Sequence, residues 1–482
     1  MQRFILLDRV MWILLNSLLV LFVWSWFIEL AWENKEISLF EKIRYSFLIG
    51  LSITVTSLFI EGLLFGRFFH ILALIVTSVL RVIVLLKNKN ILLRWRFESK
   101  NTVILIRELF IRLSLVKKII IWIILIYLIV KIVISFQINT SMITYDEDAV
   151  IGRDMKTKVI YINDSLVLDK SNSEFFGTAA DRNIVAPLID ISFLQYGSYQ
   201  SIEWLTNIVS PIMYALFVLF LFWIFYKRDL FLAIIGMYLF TSIPFSFIHS
   251  FASYLNLFFG FIFFALVYMI YQYIVRRNSI FLWYSIWFAP LFMVRNEGLI
   301  LAIVMLVTTI VFAYISRMSL KRDRKSRIAL LISFFGFFII QKILERFAPM
   351  KANSTESFLW TDSFSNIITS LGTKNIVLAP LQQIFFHSDF NIFYLVLAIG
   401  LCVYVVSRNR EDTNKYLLYP IVIFTLMFMM FVTILFANVI NLWLLSHFSF
   451  IRYGLVLVPL GVYILMEIII SYKDFFNSSV QE

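Results

Sequence analysis

Long apolar runs separated by short polar segments occupy most of this chain. Many runs are about 17–25 residues long, the length that an α-helix needs to cross the hydrocarbon core of a bilayer. The pattern predicts an all-α polytopic membrane protein with about thirteen transmembrane helices and two longer extracytoplasmic loops. The predicted spans are 10–31, 45–66, 68–86, 119–136, 204–226, 229–246, 254–275, 279–294, 299–316, 328–343, 390–407, 416–437 and 453–471.

Composition agrees with this prediction and argues against nucleic acid as a partner. Hydrophobic residues make up 61% of the 482 residues and charged residues only 15%. The net charge of +12 comes from lysines and arginines in short segments between the spans. Basic loops are retained in the cytoplasm, so topology explains this charge and no nucleic-acid partner is expected. Cys402 is the single cysteine, so no intramolecular disulfide can brace the outer loops.

The polar segments also predict a division of the chain. Segment 101–118 has apolar residues at helical spacing with basic residues between them, which is typical of a helix in the cytoplasmic interface. We therefore predict an N-terminal three-span region over 1–118, a larger membrane domain over 119–475 and a cytoplasmic tail over 476–482.

Two predicted outer loops, 137–203 and 344–389, are too long to be simple turns. Ordered loops longer than about 12–15 residues are usually functional. Without a disulfide, they are expected to be held by short helices packed on the membrane domain.

The first outer loop opens with a cluster of acids. Asp148 lies just past the fourth span and is followed by Lys156 and Lys158. A carboxylate in this position can take a proton from a hydroxyl nucleophile. The structural alternative is a helix start, since Thr144 and Glu147 fit a capping box.

Arginines mark two other outer helix ends. Arg295 and Glu297 separate two spans with almost no loop, and each would cost about 2–3 kcal/mol at a helix centre. They are therefore expected to pair at a hairpin tip, face a wet cavity or hold a charged ligand. Arg452, followed by Tyr453, either extends to lipid headgroups or binds an anion through paired hydrogen bonds.

A third polar group lies at the outer turn between the sixth and seventh spans. It contains His249, Tyr254 and Asn256, for which packing at the membrane edge is the structural alternative. The four histidines of the chain are too scattered to predict a metal site. No cofactor is predicted with certainty, although acids of the first loop leave a divalent cation open.

Taken in order, these segments resemble the GT-C superfamily of integral-membrane glycosyltransferases, in its protein-mannosyltransferase and aminoarabinose-transferase branch. The resemblance covers about residues 119–470 and implies a GT-C-like helical bundle. The matching segments are Asp148-Ala149 with Lys156-Thr157-Lys158, Asn183 to Leu188, Ser242-Ile243-Pro244 with His249 and Tyr254-Leu255-Asn256, Arg295 to Gly298, and Arg452-Tyr453 with Pro459.

The resemblance implies inverting transfer of a sugar from a polyprenyl-phosphate donor to a hydroxyl of a glycan, lipid or protein. The site would lie on the extracytoplasmic face, with the bacterial inner membrane as the expected location. Asp148 or Asp146 would be the general base, and Arg452 with Arg295 or Lys156 would bind the leaving phosphate. Glu297 would orient Arg295. The remaining substrate-binding positions would be Lys158, His249, Tyr254, Asn256 and Tyr453.

Two departures and two rival functions accompany this interpretation. Asn256 replaces an acid of the family pattern, and Asp146-Glu147 provides a second alignment for the catalytic acid.

One rival is a lipid-linked saccharide flippase, which needs a hydrated route with polar residues through the spans. The other is a glycan polymerase or ligase of another glycosyltransferase branch, which would share the arginines without needing the acid–lysine motif.

Overall fold

The computed structural model describes fifteen α-helices and the segments that join some of them. The described residues are 39–69, 72–87, 90–141, 154–166, 185–194, 208–252, 255–276, 281–282, 288–292, 298–315, 392–407, 415–439 and 445–479, with Trp24, Val294, Ile339 and Phe390. This part of the chain is mostly helical and contains no strand. In chain order the helices are α1 (Leu39–Phe65), α2 (Leu72–Lys87), α3 (Ile91–Ile111), α4 (Leu115–Ser141), α5 (Met155–Asn163), α6 (Val185–Phe193), α7 (Val209–Phe225), α8 (Leu230–Ser242), α9 (Pro244–Ile248), α10 (Asn256–Arg276), α11 (Ala289–Phe292), α12 (Gly298–Ile315), α13 (Phe393–Ser407), α14 (Leu418–Val439) and α15 (Leu445–Ser479).

Several helices have the length and composition of membrane spans. Within the described residues, four are long and apolar enough to cross a bilayer, over Glu41–Phe65, Leu115–Asn139, Asn256–Arg276 and Gly454–Lys473. Shorter apolar helices include parts of α2, α7, α8, α12, α13 and α14. Helical, membrane-compatible architecture is thus confirmed, and the count of thirteen spans stays a prediction. Apart from Trp24 and Ile339, the predicted spans 10–31 and 328–343 and the loop 344–389 lie outside the described residues.

Helices α10 and α15 form the centre of the bundle and run in the same direction. A Cβ added at Gly260 would lie 3.1 Å from the Cα and the carbonyl oxygen of Val456, so the two backbones nearly touch. Further along, the ring of Tyr463 lies 5.5 Å from that of Phe264 and 5.6 Å from that of Tyr268. Small residues permit such close helix packing in membranes. Helices α7, α8, α13 and α14 pack around this pair.

One end of the bundle is joined by ion pairs. The carboxylates and cations come from the start of α1, from α3, from the turn after α7, and from the far ends of α10 and α15. The pairs are Arg228 with Glu467 (2.6 Å), Arg276 with Glu41 (3.2 Å), Lys42 with Glu98 (3.9 Å) and Lys473 with Asp229. This basic end contains the segments that the positive-inside rule assigns to the cytoplasm.

The predicted interfacial helix has different boundaries in the structure. The expected pattern ran over 101–118, but α3 ends at Ile111 and α4 begins at Leu115 after a short turn. Lys118 stabilises the junction by donating from Nζ to the carbonyl oxygen of Ile111, 2.9 Å away. The apolar spacing therefore continues across a turn that separates the two helices.

Candidate functional site

Two short helices within the predicted first outer loop enclose a buried polar pair. Helices α5 and α6 pack against each other, and the Thr157 hydroxyl donates a hydrogen bond of 3.0 Å to Oδ2 of Asp190. Both side chains are fully buried. Every residue of α6 is buried, so this helix lies inside the protein rather than on its surface. The pair joins the Lys156-Thr157-Lys158 segment to the segment that contains Pro187.

Helix α1 forms one wall around α5 and α6. At one end, the backbone N–H of Phe68, just past α1, donates to the carbonyl oxygen of Asp164 at 3.1 Å. At the other end, the ring of Phe193 lies 5.5 Å from that of Trp24, which lies 3.9 Å from that of Phe47 in the first half of α1. Helix α6 also contacts α1 directly, so α1 borders both short helices.

A left-handed residue ends α5. Asp164 has φ of 49°, a conformation that Asp and Asn tolerate better than most residues. Burial raises the pKa of the Asp164 carboxyl above its usual value, and the nearby Arg67 guanidinium opposes this shift. The turn thus places an exposed carboxyl near Arg67, just past the end of α1.

The two predicted lysines of this loop have different environments. Lys156 is buried on α5, close to the Thr157–Asp190 pair in sequence, whereas Lys158 is exposed. Residues two apart on a helix point about 200° apart, so both lysines cannot serve one pocket through the same face. Lys156 is the better placed of the two for a buried anion.

The turn between α9 and α10 is anchored to α4. Ser135 of α4 donates a hydrogen bond of 3.0 Å to the carbonyl oxygen of Ser250. His249 is buried, with its ring 4.3 Å from that of Phe245, and Asn256 is buried at the start of α10. These polar groups lie at the opposite end of the bundle from the ion pairs.

A cation outside the set of predicted site residues lies beside this turn. The Lys131 Nζ atom of α4 is 3.8 Å from the centroid of the Phe247 ring and 5.4 Å from that of Tyr127. Such cation–π contacts stabilise an ammonium group in apolar surroundings. Lys131 therefore places positive charge near the turn that contains His249.

The helix ends on either side of Arg295 and Glu297 pack on the start of α10. The rings of Phe259 and Phe292 are 5.1 Å apart, and Gly298 lies directly against the carbonyl oxygen of Phe292. Any side chain at position 298 would collide with that oxygen. The end of α11 and the start of α12 therefore lie close together, and the end of α11 lies beside α10.

Helix α15 brings a further predicted segment to the same end. The Tyr394 hydroxyl donates a 2.5 Å hydrogen bond to the carbonyl oxygen of Gly454. Since α10 and α15 run in parallel with Gly260 opposite Val456, the same register places Asn256 level with Arg452, one turn away on each helix. The backbone positions of these two predicted site residues are thus close in height along the bundle.

The predicted site residues fall into three groups. The structure describes both the backbone and the side chains of Lys156, Lys158, His249 and Asn256. Arg452 and Tyr453 lie within α15, and their side chains are outside the described part of the structure. Asp146, Asp148, Tyr254, Arg295 and Glu297 lie outside the described residues.

The described neighbours of these segments form two regions connected by α1 and α11. Helices α11, α12 and α15 contact α10, while α5 packs on α6, and α6 lies against α1, which also contacts α11. Among the described residues, no cluster of three His, Cys, Asp or Glu side chains is arranged for a metal ion.

Thr157→Val is expected to lower the free energy of unfolding by about 1.5 kcal/mol, because it removes a hydrogen bond to a buried carboxylate. Reversible unfolding of the purified protein in mixed micelles measures this change. Thr77→Val is the matched control, since the buried Thr77 hydroxyl donates only to carbonyl oxygens of its own helix, those of Ala73 and Leu74. Equal effects of the two substitutions would contradict the special role of the Thr157–Asp190 bond.

Comparison with known proteins gives no further assignment. No protein-family model, no curated protein and no solved structure matches this chain.

Proposed function

We propose that this chain is a polytopic membrane glycosyltransferase with a GT-C-like bundle of about thirteen spans. It transfers a sugar from a polyprenyl-phosphate donor to an acceptor hydroxyl, with inversion, on the extracytoplasmic face of a bacterial inner membrane. The proposal rests on the ordered resemblance of five segments to the GT-C superfamily.

One structural observation supports this proposal more than any other. The helix ends that carry or border the His249–Asn256, Arg295–Glu297 and Arg452 segments pack together, away from the ion-paired end. In sequence these segments are separated by long apolar stretches. Their common location is what a single pocket between them requires.

The proposed chemistry needs a base, an anion site and a membrane-side groove. The carboxylate of Asp148 or Asp146 takes the proton of the acceptor hydroxyl as its oxygen attacks the anomeric carbon. The bond from that carbon to the phosphate oxygen breaks, and polyprenyl phosphate leaves with the bonding electrons. Arg452, with Arg295 or Lys156, stabilises the negative charge on the departing phosphate.

Burial favours Lys156 as a member of this anion site. An ammonium group removed from water interacts more strongly with a phosphate than one in solvent does. Lys156 is nearly fully buried, while Lys158 is exposed on the same helix. In the proposed site Lys156 contacts the phosphate and Lys158 has at most a peripheral role.

The test is incubation of the purified protein, reconstituted in vesicles, with a panel of labelled polyprenyl-phosphate sugars and candidate acceptors. Release of free polyprenyl phosphate together with a labelled, inverted product supports the proposal. Movement of the intact donor across the bilayer without cleavage supports the flippase instead. Parallel reactions with a chelator show whether a divalent ion is required.

A further inference from the structure

Helix α3 carries two apolar faces, and only one of them packs on the bundle. Leu105, Ile106, Leu109 and Phe110 are partly buried against the core. At about 100° per residue, Leu93, Phe97, Ile104 and Ile111 fall within about 40° of one another on the opposite side. These four residues, the outer stripe, are 68%, 65%, 43% and 58% exposed.

A row of cations borders the outer stripe. Arg96, Lys100 and Arg107 are exposed and lie within about 40° of one another along one edge of it. Along the other edge, the negative charge of Glu108 is balanced by the positive charge of Arg94. On the packed side, Glu98 forms an ion pair with Lys42. The exposed face of α3 is therefore apolar in the middle and positively charged along its border.

The orientation of this face is fixed by the junction with α4. The Lys118 ammonium group donates to the carbonyl oxygen of Ile111 and lies 5.8 Å from the centroid of the Phe110 ring. Because the opposite side of α3 packs on the core, the stripe points away from the bundle.

The adjoining surface indicates what covers the stripe. Exposed apolar side chains continue from the last turn of α2 through the first turns of α4, at Leu86, Leu115, Val116 and Ile119. Helix α4 is a candidate span with most of its surface exposed, so lipid is its natural surrounding. The outer stripe extends this surface to the ion-paired end of the bundle.

We infer that α3 lies in the plane of the cytoplasmic leaflet and binds anionic phospholipid. The outer stripe enters the acyl region, and Arg96, Lys100 and Arg107 contact headgroup phosphates. An amphipathic helix with cations beside its apolar face binds anionic bilayers through both contributions. This inference is independent of sugar transfer.

The location of the stripe can be tested with a single fluorescent label on the full-length protein. Cys402→Ser removes the one native thiol, and either Phe97→Cys or Ser99→Cys then carries a bimane label. Ser99 is exposed, but about 160° round the helix from Phe97 after two ~100° residue steps, which makes it the matched control. In nanodiscs, brominated acyl chains should quench the label at position 97 and aqueous iodide should not, with the reverse at position 99.

Lipid charge is tested in the same particles. Nanodiscs made from mixed phosphatidylcholine and phosphatidylglycerol, analysed by the lipid retained after delipidation, should show enrichment of phosphatidylglycerol. Combining Arg96→Gln, Lys100→Gln and Arg107→Gln should return the retained lipids to the bulk ratio.

Three outcomes overturn the inference. They are iodide quenching at position 97, unchanged lipid enrichment in the triple variant, and protection of position 97 from both quenchers in a dimeric particle. The last would assign the stripe to a second copy of the chain.

Discussion

Asp148→Asn is expected to reduce the initial rate of sugar transfer by about 10²- to 10⁴-fold, the usual contribution of a general base. Asparagine keeps the shape of the side chain but cannot accept the hydroxyl proton. The protein should still insert, purify in normal yield and elute as the wild type does. The rate is measured as polyprenyl phosphate released from the active labelled donor.

Two further variants complete this experiment. Asp164→Asn removes a carboxylate from the same predicted loop at a left-handed turn and should leave the rate close to that of the wild type. Retained activity in Asp148→Asn with loss in Asp146→Asn would move the base by two residues. If both of these variants stay active, the proposed mechanism fails.

Gly260→Leu is expected to lower the free energy of unfolding by about 3 kcal/mol, at the upper end of typical overpacking costs. The added side chain meets the backbone of Val456, which belongs to a buried helix and cannot rotate away. Separation of α10 from α15 should also increase the distance between the backbone positions of Asn256 and Arg452. Unfolding in mixed micelles measures the first effect, and the donor KM measures the second.

Gly236→Leu provides the contrast for this substitution. Gly236 of α8 also packs on α15, but a Cβ there would meet the flexible side chain of Met466 at 3.3 Å. Because Met466 can change rotamer, the loss of stability should be clearly smaller than at position 260. A larger loss at position 236 would show that the backbone contact is not what limits the packing.

Much of the helical architecture could be predicted from sequence because each apolar run specifies its own helix. The helices α4, α10 and α12 overlap the segments predicted at 119–136, 254–275 and 299–316. Boundaries were less predictable at α3, where apolar spacing continues through a change of direction. Periodicity reports which residues face apolar surroundings, but not where the chain turns.

Local sequence patterns could not predict which distant residues contact each other in the folded protein. Asp190 could have been noticed as an acid within the apolar stretch Val185–Phe193, yet nothing local connects it to Thr157, 33 residues away. The same holds for Lys131 and Phe247, which come from separate helices. These contacts depend on how α5 meets α6 and how α4 meets α9.

For the candidate site, the sequence predicted the side of the membrane but not which segments are adjacent. Sequence order predicted that the His249, Arg295 and Arg452 segments lie on one side, because the spans between them alternate in direction. Their adjacency depends on packing, through Phe259 with Phe292 and through Gly260 with Val456. Whether Asp146 or Asp148 faces those arginines stays a prediction, since both acids lie outside the described residues.

The wall that α1 forms beside α6 has a consequence for biogenesis. A nine-residue helix is only about 14 Å long, less than half of a ~30 Å hydrocarbon layer, and cannot integrate as an independent span. The ribosome makes α1 well before α6, so a protein surface is already present when Val185–Phe193 emerges. Because synthesis starts at the amino terminus, α1 is present before α6, the short helix that packs against it.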